Sequence, residues 1–180
     1  MKIVKVIILA SLILFSGTLN AQEIISEVKP YDRIAGGPGF GIDHGGFGFN
    51  LSAFPSENFG FFVGGGYALA GVGLNAGVKA RFFPHRPNPT IVPYMTAMYG
   101  YNTAIVVSNN SGMNKIFYGP TFGVGVDIRP RPWRLGYFSC AVLVPIRGDE
   151  VDKYVDNNNL DLETGLIPIG LSFGFNFILN

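Results

Sequence analysis

Charge is scarce in this chain. Asp, Glu, Lys and Arg make up 14% of its 180 residues, against roughly a quarter in an ordinary soluble domain. Cysteine is scarcer still. The single Cys140 excludes an internal disulfide, and with only His44 and His85 beside it the chain has no Cys/His spacing of a structural metal site. A phosphate-binding loop is also missing. The runs Gly36-Gly37-Pro38-Gly39 and Gly64-Gly65-Gly66 are followed by no helical pattern and no Gly-Lys-Ser/Thr, and they read instead as places where strands approach closely and a sheet curves. Beyond the first twenty residues no apolar run is long enough to cross a bilayer as a helix.

The one continuous apolar run, Val6 to Phe15, follows Lys2 and Lys5 and gives way to small and polar residues ending Leu19-Asn20-Ala21. This is the order of a secretory signal peptide over 1–21, cut between Ala21 and Gln22. The residue after the cut is not cysteine, which argues against a lipid anchor there. Without Lys2 and Lys5 the chain carries 11 basic and 12 acidic residues, a balance that disfavours a nucleic-acid partner. Residues 22–32 then read as a short periplasmic lead-in and 33–180 as one domain.

What the chain has is glycine, phenylalanine and alternation. In the closing stretch Leu166 to Asn180, Ile167, Ile169, Leu171, Phe173, Phe175, Phe177 and Leu179 alternate with Pro168, Gly170, Ser172, Gly174 and Asn176. Side chains of a strand point alternately to its two faces, so this is a strand with one apolar and one small, polar face. Six earlier segments repeat the pattern, among them Arg33 to Ile42, with Ile34, Pro38, Phe40 and Ile42 on the apolar side, and Val72 to Phe82, with Gly73, Asn75, Gly77, Lys79 and Arg81 on the other. A further segment, Trp133 to Ile146, is apolar on both faces, so its register stays open. Turn signals separate the strands: Asp43 to Gly45, Pro55 to Asn58, Pro84 to Pro89, Ser108 to Asn114 and Pro130 to Pro132. The last connection, Arg147 to Gly165, is the longest and is acidic.

Eight strands with such faces close most simply as a barrel, and the question is which face is outside. The polar faces carry almost no charge beyond Lys79, Arg81 and Asp127, whereas a water-facing surface is about a quarter to a third charged. The phenylalanine face is therefore expected to meet lipid, in an all-β, eight-stranded antiparallel up-and-down transmembrane β-barrel. Short proline-rich turns at one end and longer loops at the other fit the same plan, and a barrel crosses a bilayer with no backbone group left unpaired.

On these GxG-rich strands and the aromatic closing strand with Phe173, Phe175 and Phe177, the chain from Arg33 to Asn180 resembles the small outer-membrane β-barrels of the OmpA/OmpX type, the outer membrane protein β-barrel domain family. The resemblance implies export through the periplasm to the cell outer membrane of Gram-negative bacteria. It also implies contact with outer-membrane lipid and lipopolysaccharide, a monomeric barrel, and a structural or surface-interaction role without a cofactor.

Candidate chemistry is sparse. Lys79, Arg81 and Asp127 lie on lumen faces a few residues before a turn, and a buried charge needs a partner, so Asp127 is expected to pair with Lys79 or Arg81 as a lumen plug. Phe54, Phe62, Phe83 and Tyr94 are expected to fill space beside them. His44, next to Asp43 in the first outer turn, reads as a solvated loop histidine. Some relatives implied by the resemblance are lipid A acyltransferases or deacylases using His and Ser, which makes His44 with Ser108 or Ser111 an enzymatic alternative; a narrow pore is the other. Asp149, Glu150, Asp152 and Asp156 are weak metal candidates, since their spacing is not that of an EF-hand. Segment 147–165 reads as a mobile solvated loop, and its functional version is recognition of an extracellular ligand or protein. Tyr67, Tyr99, Tyr101 and Tyr118 at the outer rim, and Trp133 and Tyr137 at the inner, fit interfacial aromatic girdles.

Overall fold

The computed structural model describes residues 33–82, 84, 90–107, 113–130, 135–158 and 168–179. The expected signal peptide and lead-in lie outside the described residues, as do Phe83, His85, Ser108, Ser111, Trp133 and Ile167. The strands are β1 Ile34–Gly41, β2 Gly46–Ala53, β3 Phe59–Tyr67, β4 Val72–Arg81, β5 Ile91–Ile105, β6 Lys115–Ile128, β7 Gly136–Pro145 and β8 Gly170–Ile178, with a helix α1 Asp149–Asn157 before the last. Each strand pairs antiparallel with its successor. β8 returns to β1, with Ala35 opposite Ile178 and Phe40 opposite Phe173, so the sheet closes into an up-and-down barrel without an edge.

The alternation sorts as the period of two requires. Phe49 on β2 is 67% exposed, Leu74 on β4 57% and Phe173 on β8 51%, while their sequence neighbours Asn50, Asn75 and Ser172 point inward and are buried. Outward rings meet across and along strands: Phe40 and Phe47 have centroids 4.6 Å apart, Phe138 and Phe175 4.9 Å, and Phe175 and Phe177 4.8 Å. Such neighbour pairs stabilise the ladder they sit on. The open register of the seventh strand resolves with Tyr137, Ser139, Ala141 and Leu143 inside. Inside, Phe62, Tyr94, Met98, Ala141 and Leu143 form an apolar cluster.

The two ends of the barrel differ, though not as turn length alone would have it. The end away from Arg33 and Leu179 carries two four-residue connections, 42–45 and 68–71, together with the long ones, 106–114 and 146–169. It is low on the β1–β4 side and tall on the β5–β6 side, where a bulge between Tyr101 and Thr103 lets the hairpin run on to Ile105 and Lys115. The acidic connection, expected as a loop, contains α1. Val151 is buried there with Ile105 and Phe117, Tyr154 and Val155 pack against them, and the Tyr154 hydroxyl donates to the Met113 carbonyl at 2.8 Å. The apolar positions 151, 154 and 155 fall on one helical face, and Asp149, Glu150 and Asp152 occupy the first turn, where the helix dipole favours carboxylates.

A methyl group added at Gly37 would collide with the Phe175 carbonyl oxygen across the β1–β8 junction, whereas at Gly148 it would meet nothing. Gly37→Ala is expected to cost about 1–3 kcal/mol, measured as a lowered urea midpoint of unfolding. Gly148→Ala should stay within about 0.5 kcal/mol.

Candidate functional site

The most unusual local feature is where the β1–β2 connection goes. β1 ends at Gly41 with φ +138°, a 3-10 turn runs Ile42–His44, and Gly45 and Gly46 follow at φ +69° and +99°. These are backbone conformations that glycine adopts at little cost. They fold the turn into the lumen. Ile42, expected on the outer face of its strand, packs against the inner cluster of Phe62, Tyr94 and Leu143. His44, expected in solvent, is 2% exposed.

Glycines on five strands make room for it. A Cβ at Gly39 or Gly174, which face each other across β1 and β8, would enter the His44 ring; at Gly48 or Gly66 it would strike the His44 carbonyl, at Gly64 that of Asp43, and at Gly73 that of Gly45. The small faces of β1 to β4 and β8 thus do more than curve the sheet: they are the complement of this turn. Polar side chains of the same strands hold it. Asn50 donates to the Asp43 carbonyl at 3.1 Å, Asn75 to the Ile42 carbonyl, and the Ser172 hydroxyl to Asp43 Oδ1, the oxygen that also lies 2.9 Å from His44 Nδ1. Ser52 in turn donates to Asn50 Oδ1 at 3.0 Å and orients its amide.

Asp, His and Ser side chains therefore meet, Ser172 of β8 joining the adjacent pair Asp43 and His44. Their order is not that of a nucleophilic relay. In such a relay the carboxylate and the hydroxyl sit on opposite ring nitrogens, whereas here Asp43 and Ser172 both lie at the Nδ1 edge, Ser172 Oγ at 3.5 Å. With Asp43 Oδ1 as the acceptor, Nδ1 carries the proton by the logic of the network. Nε2 faces the Gly39–Gly174 notch, buried and without a hydrogen-bond partner among the described residues. The serines expected beside His44, Ser108 and Ser111, lie outside the described residues.

Toward the end that carries Arg33 and Leu179, a second polar layer fills the lumen. Asp127 is wholly buried and takes both cations: Lys79 Nζ lies 2.8 Å from Oδ1 and Arg81 Nε 3.0 Å from Oδ2, while the Ser139 hydroxyl donates to Oδ1 at 2.5 Å. Aromatic faces cover the cations, Tyr94 at 3.7 Å from Lys79 Nζ and Phe54 at 3.6 Å from the Arg81 guanidinium, contacts that strengthen when water is excluded. Tyr137, expected in a girdle, is fully buried and accepts from Arg81 Nη2 at 3.0 Å. The correction follows from the register of β7, which was open in the sequence because both faces are apolar. Between the two layers lies a cavity of about 20 Å³ lined by Asp43, His44, Lys79, Tyr94 and Asn176 among others, room for about one water.

The acidic residues Asp149, Glu150, Asp152 and Asp156 are exposed on α1, and the described residues contain no group of three His, Cys, Asp or Glu arranged to hold a metal ion. Asn50, Asn75 and Ser172 lie on the inner, polar faces that alternation assigns them, and Asp43 beside His44, but their convergence on one turn is not read from alternation. A signal for it exists in Gly41 and Gly45-Gly46 around a three-residue turn, opposite facing strands with glycine at the matching level.

Asp127→Asn would leave two buried cations short of a counter-charge. It is expected to cost about 3–5 kcal/mol, read as a fall in the urea midpoint, while Asp152→Asn on the exposed face of α1 should change it by less than about 0.5 kcal/mol. In comparisons with known proteins, the chain matches no family model, no curated protein and no solved structure.

Proposed function

We propose that this chain is an integral outer-membrane β-barrel protein with a structural or surface-interaction role and no catalytic one, exported by its N-terminal signal peptide. The observation that carries the reading is the inversion of the barrel. Its charged residues Lys79, Arg81 and Asp127 are buried inside, and its outer wall presents Phe49, Phe61, Val63, Leu74, Met95, Val124, Leu171 and Phe173, each about half exposed or more. A monomer in water rarely shows more than a few hundred Å² of continuous apolar surface. Around this barrel the apolar positions follow one another from strand to strand, and a lipid environment removes their cost.

Interaction is assigned to the end with the tall wall. There the β5–β6 hairpin, and α1 with its exposed Asp149, Glu150, Asp152, Lys153 and Asp156, stand beyond the low β1–β4 side. Lipid and lipopolysaccharide are the proposed neighbours of the wall, and an extracellular ligand or protein that of segment 147–165. Against the pore alternative stand the buried turn, the aromatic residues Phe54, Tyr94 and Tyr137, and the cluster of Lys79, Arg81 and Asp127, which together occupy the lumen. The enzymatic alternative gains nothing from His44, whose second nitrogen faces a glycine notch.

The test is the behaviour of the full chain in a Gram-negative host. The protein should pellet with outer membranes after carbonate washing, migrate faster on a gel unboiled than boiled, and show no stepwise conductance in planar bilayers. A chain that stays monodisperse in buffer without detergent and migrates identically in both states sinks the membrane reading; steady single-channel steps sink the sealed-lumen part.

A further inference from the structure

We propose that the half of the lumen around the β1–β2 turn is a carboxylate-binding site whose resident ligand is the chain's own Asp43. Hydrogen-bond donors from separate strands converge there on one short turn. The Ser172 hydroxyl from β8 and the His44 Nδ1–H both reach Asp43 Oδ1, and the Asn50 and Asn75 amides from β2 and β4 cap the two carbonyls beside it. Ser172, Asn50 and Asn75 are buried, and the ammonium-bearing Lys79 lines the same small cavity as Asp43. The wall offers donors and a cation; the turn supplies an anion and two carbonyl oxygens. This is the chemistry of an anion receptor, with dipoles fixed in advance by rigid strands.

Receptor and occupant also differ in how they are held. The donors of the wall stand on paired strands of a closed sheet, so they keep their places whether or not the carboxylate is there. The occupant hangs on glycine joints, Gly41 on one side and Gly45 and Gly46 on the other, all at positive φ. The space beside the carboxylate is the cavity of about 20 Å³ that Asp43 lines, so the fit is to a small group and excludes bulky acids. The ligand class is a small carboxylate, and any such group entering from this end competes with Asp43 for the Ser172 hydroxyl and the His44 Nδ1–H. The inference rests on the lumen and is independent of what covers the outer wall.

Chemical rescue in detergent micelles tests it. Asp43→Ala removes the carboxylate and leaves a space the size of formate. The thermal midpoint of unfolding, followed by the loss of β-sheet circular dichroism, should fall by about 5 °C and recover when sodium formate, but not sodium chloride or sodium benzoate, is added. The unaltered protein, its site filled, should not respond to formate. The double variant Asp43→Ala, Ser172→Ala should lose the rescue. If Asp43→Ala does not fold alone, refolding yield becomes the readout and formate should restore it. An Asp43→Ala protein that is as stable as the parent, that responds equally to chloride, or that gains neither stability nor yield from formate overturns the proposal, as does rescue that persists without Ser172.

Discussion

The interior of an eight-stranded barrel is about wide enough for the side chains that line it and little else, and here a backbone turn occupies part of that width. The rest of the inner surface follows from this. Where the turn lies, the wall is reduced to glycine on β1, β2, β3, β4 and β8, and where its carbonyls point, the wall supplies Asn50 and Asn75. A buried turn normally carries backbone groups that cannot be satisfied. These two asparagines, with Ser172 on the carboxylate, are what make its burial tolerable.

Next to the turn the wall changes character. Glycine gives way to Tyr94, Tyr137 and Phe54, and the polar content becomes ionic. A buried ion cluster is weak evidence for stability, since well-packed apolar residues could fill the same volume at no loss. Its geometry nevertheless leaves few unmet groups: Asp127 accepts from Lys79, Arg81 and Ser139, and the cations spend their remaining faces on aromatic rings and the Tyr137 hydroxyl. The cluster ties β4 to β6 and β7 across the lumen, as Ser172 and the turn tie β8 to β1. Closure of the sheet is thus secured from inside at two levels.

The far end owes its asymmetry to the same economy of space. On the β1–β4 side the chain turns back within four residues, one turn entering the lumen. On the β5–β6 side the bulge at Tyr101/Thr103 lengthens the wall, and the longer hairpin offers Ile105 and Phe117 as a platform on which α1 buries Val151. The helix exists because that platform does. A nine-residue segment with three acidic residues in its first turn is marginal alone in water.

Much of the fold was legible in the residue order because alternation is a local property. Two faces of different chemistry, repeated seven times between turn signals, determine strands, an inside and an outside, and they put Lys79, Arg81 and Asp127 on inward faces whatever the details of closure. β7 escaped because its two faces are both apolar, and Tyr137 with it. The destination of a turn is a different kind of fact. Whether His44 and Asp43 point to solvent or to the lumen depends on φ angles that only glycine takes easily, and on empty volume contributed by strands up to 130 residues away. α1 likewise required a hairpin whose length is set by a bulge. Residue order settles what seven of the strands show to either side; what fills the barrel is settled only on closure, because that volume belongs to no segment until all eight are in place.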